Sequence, residues 1–101
     1  VVHKIEFRQA AIDDLKNLYL IIAEAAGHDR AFAYVGRLEI ACRKLATFPA
    51  RGTIRDHINP GLRIIGFERS ASIAFAVRDN VVDILRVLPR GMELPEQWDI
   101  E

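Results

Sequence analysis

Two stretches of this sequence place apolar residues at successive spacings of four, three, four and three. They are Ala11, Leu15, Leu18, Ile22 and Ala25, then Ala31, Val35, Leu38, Cys42 and Leu45. That spacing puts each set on one stripe of an α-helix. Gly27 between them is a natural residue to end the first helix. Pro49 disfavours helix in Phe48, so the second helix should stop near Thr47. The few intervening residues require an antiparallel helical hairpin. Asp13 and Asp14 lie off the stripe and are expected in the first turn, where acids favour the helix dipole. Glu39 and Arg43 make a favourable pair one turn apart.

Outside the hairpin the period changes to two. Residues 3–8 alternate, with Ile5 and Phe7 on one face, which predicts a half-buried strand. Residues 49–61 are punctuated by Pro49, Gly52 and the Asn59-Pro60-Gly61 turn and read as one substantial connection. Three strands follow, at Leu62–Phe67, Ser72–Arg78 and Val81–Leu88, with Asp79-Asn80 as a two-residue hairpin turn. The last is apolar on both faces except at Asp83 and Arg86, the mark of a central strand. The predicted fold is α+β, ordered β-α-α-β-β-β, with a helical hairpin packed on one face of a mainly antiparallel four-stranded sheet. At 101 residues and 50% apolar content, one domain over 1–101 is expected, with 91–101 an acidic C-terminal tail containing Trp98.

Charge narrows the function. Fourteen basic residues balance 14 acidic ones, which argues against a strongly basic nucleic-acid module and against direct sequence-specific nucleic-acid binding. The charges are segregated, however. Residues 51–90 carry seven Arg against four acids, and residues 91–101 carry four acids and no base. The lone Cys42 excludes an internal disulfide, suits a reducing cytoplasm and, on the apolar stripe, reads as a small core residue. No apolar run approaches a membrane span. No signal peptide is read, and a start at Val1 rather than Met is expected to reflect a few trimmed residues.

Catalytic signatures are missing: no Gly-rich phosphate loop, no nucleophile elbow and no His-Glu-x-x-His. His3, His28 and His57 fall on a strand, an interhelix turn and a loop, which predicts no metal site, and no cofactor is called for. Asp56 beside His57 reads as a turn-forming pair rather than an acid–base pair. Arg63 and Arg86 interrupt apolar strands. An Arg buried there must reach solvent, an acid or a ligand. Two readings stay open: an ion pair, for instance with Asp83 or Glu68, or ligand recognition on a sheet face left open by the hairpin. Arg78, beside the hairpin turn, is expected to be solvated.

Certain segments resemble a known family. They are Ala11-Ile-Asp-Asp-Leu15, Ala41-Cys-Arg-Lys-Leu45, Phe48-Pro-Ala-Arg-Gly52, Pro60-Gly-Leu-Arg63, a Phe- and Ala-rich strand, and Val82-Asp-Ile-Leu-Arg-Val-Leu88. In their order and spacing they are similar to the ParE branch of the ParE/RelE toxin superfamily, over about residues 3–90. Ala74 and Ala76 make the Phe-containing strand lighter than in most relatives. The resemblance implies a RelE-like fold and a cytoplasmic bacterial toxin of a type II toxin–antitoxin system, of the kind linked to plasmid stabilisation. It implies a cognate ParD-like antitoxin and DNA gyrase as target.

RelE-type relatives instead cut mRNA on the ribosome with a basic cluster and a Tyr or His near the end of the last strand. This chain has no His after His57 and no Tyr after Tyr34, and Pro89-Arg90 stands at that place. A lost general acid or base costs ~10²–10⁴-fold. A binding inhibitor with no catalytic residue is therefore expected, with Arg63, Arg86 and Arg90 as target or antitoxin contacts and Arg51, Arg55 and Arg69 as further candidates. The alternatives are a RelE-like ribosome-dependent mRNA endonuclease and a non-toxic protein-binding module.

Overall fold

The computed structural model describes residues 2–92; the acidic tail beyond Met92, with Trp98, lies outside the described residues. Strand β1 (Lys4–Phe7) leads into helix α1 (Gln9–Ala26) and helix α2 (His28–Arg43), which closes in a 3₁₀ turn at Lys44–Ala46. Strands β2 (Thr53–Ile54), β3 (Leu62–Phe67), β4 (Ala71–Arg78) and β5 (Val81–Pro89) complete the chain.

A single residue joins the helices. Gly27, at φ +95°, donates its N–H to Ala23 O at 2.9 Å and offers its own carbonyl to Ala31 N at 3.2 Å. Because α1 starts at Gln9, its first turn holds no acid, and Asp13 and Asp14 fall in the second turn. The dipole role expected of them is therefore replaced, for Asp14, by a tertiary one described below.

The sheet is mixed and runs β1-β5-β4-β3-β2. Its fifth member, β2, is a two-residue strand inside the predicted connection, paired antiparallel to β3 through Thr53↔Ile64 and Ile54↔Arg63. It forms there because Gly52, at φ +76°, brings the backbone close to Ile64. β1 pairs parallel to β5, and β5 is central, between β1 and β4. One extra residue, Leu85, bulges from β5, since Phe75 pairs with Ile84 while Ala74 pairs with Arg86.

The helical stripes and one sheet face form the main core. Leu18, Leu38, Cys42 and Leu45 pack on Ile73, Phe75, Val82, Ile84 and Val87. Cys42 is fully buried there, and burial pushes its thiol pKa up to about 12. The hairpin is also tied to the β3–β4 turn. Tyr34 and Ser70 hydroxyls meet at 2.6 Å, and Arg37 grips Glu68 through two bonds of 2.9 and 3.0 Å. That guanidinium holds the Glu68 carboxyl below its ordinary value. No helix among the described residues is long and apolar enough to cross a membrane.

Candidate functional site

Among the described residues no helix lies over the opposite sheet face. Strand alternation turns Leu62 and Ile64 of β3 and Ser72, Ala74 and Ala76 of β4 to this side, beside Leu85 and Leu88 of β5. Leu62, Ala74 and Leu85 form a small second core with Ile58, Ile64 and Ala76 around them. Small side chains at 72, 74 and 76 leave a hollow rather than a dome. The result is a groove of about 400 Å³ lined by Arg55, Ile58, Ile64, Ser72, Ala74, Leu88 and Met92. A second hollow of about 330 Å³ adjoins it through Ser72 and Met92, and Arg69 and Arg90 form part of its wall. The small Ser72 and Ala74 side chains of this strand thus leave room for the groove.

The candidate arginines separate into two groups by their partners. Arg86 is not on the groove. Its Nε and Nη2 donate to Asp14 Oδ2 and Oδ1 at 2.7 and 2.9 Å, and the pairing raises its pKa further above the ordinary range. Asp14 Oδ2 also accepts the Val87 N–H at 2.9 Å. Arg86 therefore forms an ion pair, but with neither acid named as a partner from sequence. Asp83 is instead held by Arg78, Nε to Oδ2 at 2.7 Å, with Arg8 at 3.6 Å, and Glu68 by Arg37. Arg78 is exposed, as expected, but it is also engaged, because its guanidinium lies over a carboxylate that is only 2% exposed.

Arg63 faces the helix side, since it pairs across from Phe75, and its Nη1 donates to the Arg51 carbonyl at 3.4 Å. Arg63 thus departs from the open face, whereas Arg86, paired across from Ala74, belongs to that side of β5 and is engaged by Asp14 at the strand's free edge. Arg55, Arg69 and Arg90 do border that face. Arg51, Arg55, Arg63, Arg69 and Arg90 make no ion pair among the described residues, whereas Arg8, Arg37, Arg43, Arg78 and Arg86 all do. Sequence signalled the excess of base in this segment, but not which members would be left without acids.

Among the described residues the groove lining includes no His, Tyr, Asp or Glu. Asp56 Oδ1 accepts the Gly61 N–H at 2.9 Å and so serves the turn. Among the described residues no cluster of three His, Cys, Asp or Glu could hold a metal. The arrangement can bind anionic groups over an apolar floor; among the described residues its lining offers no proton-transfer group.

A second apolar surface, which sequence reasoning did not localise, lies on the outside of the hairpin. Ile12, Leu15, Tyr19, Leu20 and Val35 line a furrow between α1 and α2, flanked by Lys16 and Glu39. Phe32 and Ile40 stand exposed on the same helix pair. The signal was available: both residues lie off the buried stripe of α2 yet are large and apolar.

The sequence matches the family described as "ParE toxin of type II toxin-antitoxin system, parDE" over residues 5–94. Among solved structures, a chain of the chromosomal ParDE toxin–antitoxin system from P. aeruginosa is similar at TM-score 0.77 and 24% identity, covering 87% of this chain and 96% of that one. A chain of the RelBE2 toxin–antitoxin complex from Mycobacterium tuberculosis matches at TM-score 0.58 and 22% identity, covering 89% of this chain and 100% of that one. At such identities the two structures attest the fold. A search of curated protein sequences finds no match to this chain.

Proposed function

Because the chain belongs to the ParE toxin family of type II toxin–antitoxin systems, we propose that it acts by binding, with DNA gyrase as its target. The observation that carries this reading is the groove on the open sheet face. Arg55 lines it, Arg69 and Arg90 wall the hollow that adjoins it, none of the three has an acid partner among the described residues, and Ile58, Ile64, Ala74 and Leu88 supply its apolar lining. Guanidinium groups of this kind recognise carboxylate or phosphate bidentately and are enriched where interfaces concentrate their energy. Arg51 and Arg63 extend the same unpaired charge beyond the groove.

A cognate ParD-like antitoxin neutralises the toxin. Both structural relatives come from toxin–antitoxin systems. The furrow between α1 and α2 suits an amphipathic helix laid into an apolar channel, and the Arg-bearing face suits an acidic segment.

The test uses the purified chain in two assays. With gyrase and plasmid DNA, loss of supercoiling or accumulation of cleaved DNA is expected, and Arg55→Ala with Arg90→Ala should weaken it. With translating ribosomes, mRNA should remain intact. Cleavage of translated mRNA would replace this reading by the RelE-like endonuclease, and inactivity in both assays would leave the non-toxic binding module.

A further inference from the structure

The turn between β3 and β4 is built against backbone preference. Ser70 N–H bonds to Phe67 O at 2.9 Å, and the two residues between them, Glu68 and Arg69, lie at φ +49° and +55°. A tight hairpin turn of this hand favours Asn and Gly at those positions. Long side chains avoid it, because their Cβ crowds the following carbonyl oxygen. The other non-glycine residue at positive φ among the described residues is Asp79, a type that tolerates the conformation. Strain of this kind persists only where the surroundings impose it, and it gathers at functional sites.

The imposing contacts come from α2. The Tyr34 hydroxyl meets Ser70 Oγ at 2.6 Å, and Ser70 Oγ donates to Phe67 O at 3.2 Å. The Tyr34 ring stands edge-on to Phe67 at 5.7 Å, and the Arg37 guanidinium lies over the same ring while it holds both Glu68 oxygens. On the far side of the turn, Ser70 O accepts the Arg90 N–H at 2.8 Å. Arg69 lies within the turn and Arg90 hangs from it, and together they wall one hollow of about 330 Å³. Neither pairs with an acid among the described residues.

We propose that Arg69 and Arg90 form one carboxylate site for an acidic segment of a protein partner, with Tyr34 and Arg37 as its positioning residues. By holding Glu68 and Arg69 in the left-handed turn, these two α2 side chains keep both guanidiniums at the hollow. A guanidinium fixed beforehand loses less freedom when a ligand arrives. Carboxylates are assigned rather than nucleic-acid phosphates because 14 basic residues balance 14 acidic ones, which leaves no overall surplus to neutralise a phosphate backbone. The acidic partner rests on the binding function proposed above; the strained turn and its hold on Arg69 do not.

The experiment measures melting temperature and affinity for a hexaglutamate peptide at low salt, on the full chain and its variants. Arg69→Gly should raise Tm by a few degrees, because glycine takes positive φ freely, and should weaken peptide binding several-fold. Tyr34→Phe changes no charge and should also weaken binding several-fold. In a chain that carries Arg69→Ala and Arg90→Ala, Tyr34→Phe should weaken the remaining binding no further. Arg37→Gln should act as Tyr34→Phe does, and Arg37→Lys should recover most of the loss. An unaltered protein that does not bind the peptide would overturn the site, and an unchanged or lower Tm for Arg69→Gly would overturn the strained turn. Full affinity in Tyr34→Phe, or a loss that persists in the doubly substituted chain, would overturn the positioning role. Gyrase that stays active while this pattern holds would remove that target and leave the site standing.

Discussion

The carboxylate of Asp14 on α1 takes two bonds from the Arg86 guanidinium, at 2.7 and 2.9 Å, and a third from the Val87 N–H at 2.9 Å. β1 pairs with β5 only as far as Phe7↔Ile84, so the β5 edge beyond that point has no strand beside it among the described residues. The chain turns into α1 there, and Asp14 supplies the acceptor that a longer β1 would have supplied. One carboxylate thus closes the sheet edge and neutralises the charge that Arg86 brings into an apolar strand.

Arg86→Ala should therefore destabilise the fold by about 2 kcal/mol, the scale of hydrogen bonds to a charged group in a partly buried setting. Asp14→Ala should cost more, because it also orphans the Val87 N–H, and Asp14→Asn less, because an amide oxygen can still accept it. Thermal melts of the three variants, with the double variant to close the cycle, check the order. Equal losses for Asp14→Ala and Asp14→Asn would show that the Val87 bond contributes nothing.

The arginines should divide by partner rather than by exposure. Arg78→Ala strips the cover from Asp83, whose Oδ1 has no bond partner among the described residues, and should lower Tm by several degrees although Arg78 is itself exposed. Arg69→Ala and Arg90→Ala remove charges with no acid partner among the described residues and should leave Tm nearly unchanged while weakening gyrase or antitoxin binding. Melting curves set beside binding isotherms test this; a Tm drop for Arg90→Ala matching that for Arg78→Ala would contradict it.

Two glycines separate backbone strain from close approach. A Cβ at Gly52 would stand 2.3 Å from the Ile64 carbonyl oxygen, whereas one at Gly91 would meet nothing within 4 Å. Both have positive φ, so either Ala variant carries about 1–2 kcal/mol of backbone strain. Gly52→Ala must additionally push β2 off β3. Amide exchange at Arg55, whose N–H bonds to Leu62 O at 2.8 Å, should accelerate in that variant and not in Gly91→Ala.

Cys42 supplies a pH prediction. Its thiol is raised by burial from 9.0 to about 12, with the nearby Glu39 adding in the same direction. A folded pKa above the unfolded one means that this contribution to stability is complete below pH 9.0 and is lost between there and about pH 12. Alkylation of native protein at pH 8 should be slow and limited by opening of the fold, because the thiolate is the reactive form. Fast modification that leaves the circular dichroism spectrum unchanged would show the site to be accessible.

Much of this architecture could be read in one dimension. The four-three spacing of Ala11–Ala25 and Ala31–Leu45 marked two helices, and β3 falls on the predicted Leu62–Phe67. The both-face apolar character of 81–88 identified the central strand. These features are legible because period and turn chemistry depend on neighbours a few residues apart. The resemblance in motif order agreed with that reading, and the family match over residues 5–94 supports both.

What the tertiary structure alone decided is which charges meet. Asp14 and Arg86 are 72 residues apart, and Arg37 and Glu68 are 31 apart. Their encounters depend on where β1 stops, on the bulge at Leu85 and on the one-residue turn at Gly27. A shift of one residue in a strand sends a side chain to the other face, so no composition count could tell that Arg63 lies on the helix side while Arg55 borders the groove. Local periodicity sets the elements because each residue's backbone preference and apolar contacts act over one or two turns. The basic border of the groove emerges later, from arginines that no acid among the described residues reaches once those elements have packed.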